Sequence, residues 1–233
     1  MNRRLLGGLA VAAIVLSATP ARAQSGCAGL PDHAALRAAL VSAVAAESSG
    51  LNNQMWATTV DRDGVVCAVA FSGGDRGAQW PGSRVISAQK ANTANAFSLD
   101  GLALSTANLY SAVQPFGGSL YGLPHSNPVN AEAAYGTAAD TASYGQPNDT
   151  MVGKRVGGVN VFGGGLGLYV KVGSADNVVG GLGVSGDPDR PDNIVYDISG
   201  ASTAGAIGVS PSGFGHPTCI NTANPGTLPK VAP

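Results

Sequence analysis

The chain holds three histidines, His33, His125 and His216. Imidazole suits both proton transfer near neutral pH and donation of a nitrogen to a metal, iron in a porphyrin included. His125 stands out by context: Tyr121-Gly122-Leu123-Pro124-His125 follows glycines that let backbone approach a ligand, and Tyr121 offers a phenolate as a second donor. His33 reads as part of the first turn of a surface helix. His216, in Gly215-His216-Pro217, reads as an anchor of the tail. The cysteines are Cys27, Cys67 and Cys219, enough for one disulfide with one thiol left over. Cys27, in a terminal arm that gains most from a staple, is expected to take part, with Cys67 or Cys219 as its partner. Metal spacing of the CxxC or HExxH kind does not occur.

Other chemistries find little support. GxSxG is missing, so no nucleophile elbow is marked. The two glutamates, Glu47 and Glu132, lie far apart in sequence. Asp61, Asp63, Asp176 and Asp187 stand in turn contexts, where a carboxylate bonds its own backbone. Gly181-Leu182-Gly183-Val184-Ser185-Gly186 matches GxGxxG after a strand, but Asp187-Pro188-Asp189 occupies the place where a phosphate-cradling helix has to begin.

Arg3-Arg4, the apolar run Leu5 to Leu16 and Ala21-Arg22-Ala23 have the order of a secretory signal peptide ending at residue 23. The apolar run is shorter than the roughly 20 residues that span a bilayer. General secretion fits better than the twin-arginine route, and export points to the periplasm or the extracellular space. Loss of three arginines and no acid would move the formal charge from −1 to −4. Such a surface gives no electrostatic case for nucleic acid. The 210 residues beyond the signal are enough for one core. Glycine numbers 34 and charged residues only 12%, which favours tight turns over long salt-bridged helices.

Asp32 is placed to cap a helix carrying Leu36, Leu40 and Val44 on one face, with Gly50 positioned to end it. Trp56 to Val60 and Val65 to Phe71 read as strands around Asp61-Arg62-Asp63-Gly64, a hairpin signal. In the second strand Val65, Cys67, Val69 and Phe71 alternate with Val66, Ala68 and Ala70, so both faces are apolar and the strand is expected to be central. Residues 84–97 read as a helix with a small stripe of Ala88, Ala91 and Ala94, and Thr106 to Val113 as a shorter helix after Ser105. From 116 to 158 the chain reads as a long irregular insertion, with one short helix at Ala131 to Tyr135, and such loops tend to be functional or mobile. Gly158 to Phe162, Leu166 to Val172 and Val178 to Val184 read as a meander, followed by a helix over 192–204 and an irregular tail over 210–233. The pattern predicts a five-stranded antiparallel sheet with helices on both faces.

Five blocks of this chain resemble, in order, the GlcG/HbpS-like or haem-degrading family. They are Thr59 to Gly64, Ser87 to Ala94, Gln114-Pro115-Phe116-Gly117-Gly118-Ser119-Leu120-Tyr121-Gly122, Gly163-Gly164-Gly165, and Gly180 to Gly186. The resemblance covers about residues 34–205. It implies an α/β (α+β) fold, a profilin-like three-layer α/β/α sandwich, and homo-oligomers. For exported members it implies binding of haem or a related tetrapyrrole. Lys90, Thr93, Gly118, Gly122 and Gly164 have the residue types of the family motif. An acidic pair found before the helix lysine in some haem-responsive members is replaced by Val85 and Ala88, and a threonine able to face iron is replaced by Val159. His125 as an axial ligand is read from this sequence, not from the family.

The expected protein is a non-catalytic binder of haem, a small planar ligand, in a domain over 24–209. The ligand would lie between the Gln114–His125 loop and the Lys90 helix. His125 or Tyr121 would ligate iron, Leu120 and Leu123 would cover the ring, and Lys90 would pair with a propionate. One rival is an enzyme or binding module for a small organic acid, lined by Lys90, Asn92 and Thr93. The other is a structural oligomer.

Overall fold

The computed structural model describes residues 26–46, 54–115 and 117–186. Helix α1, His33–Ala45, starts where the Asp32 carboxylate accepts the Ala35 amide at 2.8 Å. Strands β1, Trp56–Asp61, and β2, Val66–Phe71, form the expected hairpin, and helix α2 runs over Ser83–Phe97. Two strands follow the insertion, β3 at Gly165–Val172 and β4 at Ala175–Ser185, joined through Gly173 at φ 64°. The sheet is antiparallel in the order β2-β1-β4-β3.

Among the described residues the sheet has four strands, where the sequence pattern predicts five. Gly158 to Phe162 is not a strand, because its amides are taken elsewhere. Val159 N–H donates to the Asn127 carbonyl at 3.2 Å, Asn160 N–H to Thr93 Oγ1 at 3.0 Å, and Phe162 N–H to Asn160 Oδ1 at 3.1 Å. The predicted helix over Thr106 to Val113 is two 3-10 turns, Thr106–Leu109 and Ser111–Val113. The helix predicted over 192–204, the tail, the signal segment, Gly50 and Cys219 lie outside the described residues.

Strand β2 is an edge strand, not a central one. Its apolar faces report cover from above and below, which does not depend on place in the ladder. Leu36 and Leu40 of α1 pack with Ala57, Ala68 and Ala70. Trp56, Val60, Val66, Val69 and Phe71 pack with Val85, Ala88 and Ala91 of α2. A register slip sets Thr59 opposite Ala68 but Val60 opposite Val66, leaving Cys67 as an extra bulge residue. Strict alternation puts Val66 with Ala68; the bulge puts it with Val69 instead. The edge itself is covered by the insertion, through Val66 N–H to the Lys154 carbonyl and Gly153 N–H to the Val66 carbonyl, each 2.9 Å.

That insertion is more ordered than its composition predicts. It contains short helices α3, Leu123–Ser126, and α4, Ala131–Tyr135, and a 3-10 stretch, Ala138–Ser143. Ala133, Ala134, Met151 and Val156 are buried in the core beneath α2. Buried Arg84 donates through Nε to Asp149 Oδ2 at 2.8 Å, pairs with the other carboxylate oxygen through Nη2, and lies 3.6 Å from the Tyr144 ring centre. Half-buried His33 reaches the same segment from α1, its Nε2 donating to the Gly145 carbonyl at 2.9 Å.

The glycines of β4 explain how α2 sits so close to the sheet. A Cβ on Gly183 would overlap the Ser87 carbonyl oxygen, and one on Gly181 the Ala91 carbonyl oxygen. The GxGxxG pattern is therefore a helix-on-sheet contact within a strand. Helix α1 covers mainly β1 and β2, so the apolar row on its side of β3 and β4 is more open, with Leu166 exposed and Leu182 and Val184 half-buried.

Candidate functional site

The C-terminal half of α2, the 105–126 segment and the 159–165 loop are held together by one apolar cluster. Its buried members are Leu109, Val113 and Val161, with Phe97, Tyr110, Leu123 and Val159 packed around them. Burial pushes the Tyr110 phenol above its usual range, so the hydroxyl is neutral at physiological pH. Leu123 thus faces inward, whereas the expectation above had it covering a ligand.

The glycines of this segment set its path. A Cβ on Gly118 would overlap the carbonyl oxygens of Ala112 and Gln114, so the chain passes there only as glycine. Leu120 N–H then donates to the Ala112 carbonyl at 2.8 Å, and Tyr121 N–H to Gly118 at 3.1 Å. Gly122, at φ 90°, turns the chain into α3, where Ser126 N–H returns to the Gly122 carbonyl at 3.0 Å. The outcome is a short anchored arch with Leu123 inside and Tyr121 and His125 exposed on it.

Lys90 is not an exposed helix lysine. It is 7% exposed, and its Nζ donates to the Val184 carbonyl at 3.0 Å, beside Gly164. Gly164, at φ 104°, accepts the Val184 amide at 2.8 Å. Thr93 is fully buried, its hydroxyl donating to the Gln89 carbonyl at 2.7 Å and accepting from Asn160 N–H. Asn92 Nδ2 donates to the Gly158 carbonyl at 2.8 Å. These α2 side chains hold the 158–164 and 184 backbone in place.

The structure therefore separates the predicted residues into two groups. Buried Lys90 and Thr93, with surface-exposed Gly164 beside the Lys90 ammonium, form the floor, and Gly118, Tyr121, Gly122 and His125 form the arch. Thr106 was missed by sequence reasoning. Fully buried, it donates to the Phe162 carbonyl at 2.5 Å and accepts the Gly165 amide at 3.0 Å, tying arch to floor. Its position after Ser105 suggested only the first residue of a short helix. Val85 and Ala88 are buried against the sheet, and Val159 packs into the apolar cluster.

The family model described as haem degrading protein HbpS-like matches residues 31–198. The chain belongs to the HbpS-like family. The match takes in α1, the four strands, α2 and the whole insertion of this HbpS-like chain. Two solved structures are similar to it. One is Klebsiella pneumoniae protein ORFY, of family DUF336, at 25% identity over 65% of this chain and 77% of that one, with a TM-score of 0.37. The other is a PduOC:haem complex, at 23% identity over 65% of this chain and 80% of that one, with a TM-score of 0.38. No curated protein matches the HbpS-like chain.

Proposed function

We propose that this HbpS-like chain is an exported, non-catalytic haem-binding protein, periplasmic or extracellular, working as a homo-oligomer on a profilin-like α/β/α scaffold. The ligand is a flat iron tetrapyrrole. His125 donates Nε2 or Nδ1 to the iron, with Tyr121 as the alternative donor. Half-exposed Leu120 covers part of the ring. Gly118 and Gly122 shape the arch, and Lys90, Thr93 and Gly164 support it from the floor.

The observation that carries this reading is the exposure of His125 and Tyr121 on an arch anchored from below by Leu123. An imidazole and a phenol facing solvent from a fixed segment have no packing role there, and both are iron donors. Membership of the HbpS-like family, described as haem-degrading, supports the choice of ligand. The non-catalytic part of the reading rests on the departures at Val85, Ala88 and Val159, which are apolar and packed inward.

A small organic acid fits the residues less well. Lys90, Asn92 and Thr93, the side chains that would recognise its carboxylate, already hold main-chain partners. Titration of the mature chain with haemin, followed by the Soret band, tests the reading. Saturation at one haemin per chain is expected; a spectrum equal to free haemin contradicts it.

A further inference from the structure

Outside the arch, one set of donors converges among the described residues. The sulfurs of Cys27 and Cys67 and a carboxylate oxygen of Asp61 lie within 4.8 Å of one another. Cys27 and Cys67 form a disulfide, with Cα atoms 5.3 Å apart. Asp61 is 4% exposed, and its Oδ1 accepts the amides of Asp63 and Val65 at 2.9 Å each, which fixes the carboxylate beside the sulfurs. On the open side, Cys27 and Cys67 line a cavity of about 540 Å³ together with Ala28, Leu30 and Pro31.

We propose that these three residues form a latent site for a thiophilic divalent cation, closed in the disulfide state and opened by reduction. Two thiolates and one carboxylate are a donor set that zinc takes, with a fourth, open position for water. Bonds of about 2.3 Å at the tetrahedral angle set the two sulfurs roughly 3.8 Å apart. Both cysteines sit on backbone that can yield to that separation. Cys67 is the bulge residue of β2, and Cys27 opens a 3-10 turn in the N-terminal arm. The cavity gives solvent access to the sulfurs, while buried Asp61 supplies the ligand from the protein side.

Opening needs a two-electron reductant. With a trialkylphosphine, the phosphorus lone pair cleaves the S–S bond, water supplies the oxygen of the phosphine oxide, and its two protons end on the two thiols. Cation binding then releases both thiol protons to solvent. A dithiol reductant reaches the same dithiol state by becoming a disulfide itself.

The test uses the mature chain carrying Cys219→Ser, so that only Cys27 and Cys67 can supply thiolate. The chain is reduced with a trialkylphosphine under inert gas, freed of reductant and titrated with Cd²⁺, while the thiolate-to-metal charge-transfer band is recorded. Zn²⁺ is then added as a competitor. The proposal expects saturation at one Cd²⁺ per reduced chain, displacement by Zn²⁺, and no band from the oxidised chain. Asp61→Asn keeps the Oδ1 acceptor for both amides and is expected to weaken binding at least tenfold. Cys67→Ser, which leaves Asp61 in place, is expected to abolish the saturable band. Absence of a band in the reduced chain, or Cys67→Ser binding as tightly as its parent, overturns the site. Unaltered affinity in a folded Asp61→Asn variant overturns the role of the carboxylate and with it the three-donor proposal.

Discussion

Arg84 and Asp149, 65 residues apart, form an ion pair that is almost wholly removed from solvent. The guanidinium also donates through Nη1 to the Ala134 carbonyl at 2.7 Å, and Asp149 accepts the amides of Gly145 and Met151. One pair thus ties α2 to α4 and to both ends of the 145–151 turn. Removing either member leaves an uncompensated buried charge. Asp149→Ala and Arg84→Ala are each expected to lower stability by about 3–5 kcal/mol, read from urea unfolding followed by Trp fluorescence.

Gly183 makes a second, independent prediction. Alanine there must push α2 away from β4, because its Cβ would overlap the Ser87 carbonyl. A loss of about 1–3 kcal/mol is expected for Gly183→Ala. At Gly163 an added Cβ meets nothing within 4 Å, so Gly163→Ala is expected to stay within about 0.5 kcal/mol of the parent. Equal losses at the two positions would contradict the close-approach account.

Much of this architecture was legible in the sequence, for reasons that the particular residues make clear. Asp32, Asp61-Arg62-Asp63-Gly64 and the Ala88, Ala91, Ala94 stripe signal locally what they do, since cap, turn and small helix face depend on near neighbours. The edge position of β2 and the face taken by Val66 were not legible. Burial looks the same in an edge strand covered by an insertion as in a central one, and a bulge at Cys67 inverts the alternation without a glycine to announce it. At the candidate site, context singles out Tyr121 and His125 as possible donors, and the structure exposes both. The floor was not: whether Lys90 is exposed depends on Gly164 and Val184, some 70 to 90 residues later, which no local pattern encodes.

Lys90 therefore separates a supporting role from a ligand contact. Lys90→Met keeps the length of the stem but removes the donor to the Val184 carbonyl. A stability loss of about 1–3 kcal/mol is expected, with haemin affinity within about twofold of the parent. A tenfold loss of haemin affinity in a variant of unchanged stability would restore Lys90 as the propionate partner.

The 138–143 turn carries a pH dependence of defined sign. Asp140 Oδ2 accepts the Thr137 amide at 2.7 Å and the Thr137 hydroxyl at 2.8 Å. These bonds, the amide first, hold the Asp140 carboxyl below its ordinary value of 3.8. A depressed carboxyl stabilises the folded state above the unfolded value, and the contribution is lost as pH falls through the folded one. Carboxyl NMR of Asp140 is expected to titrate below free aspartate, and Thr137→Ala to move it upward. Because these bonds stay within the 137–140 turn, the effect is expected to be local fraying with no change in global unfolding.

The disulfide closes a separation of 40 residues between Cys27 and Cys67. Chain-entropy arguments give a loop of that size about 4 kcal/mol. Cys67→Ser is expected to lower stability by roughly 2–4 kcal/mol in thermal or urea unfolding, with the N-terminal arm and α1 the first parts to lose hydrogen-exchange protection.

Iron ligation by His125 is tested most directly by a haemin titration of His125→Ala with and without added imidazole. The account predicts that the variant loses at least tenfold in affinity together with the parent's Soret position, and that millimolar imidazole restores both. A variant that keeps the parent's Soret band and affinity without imidazole would contradict it.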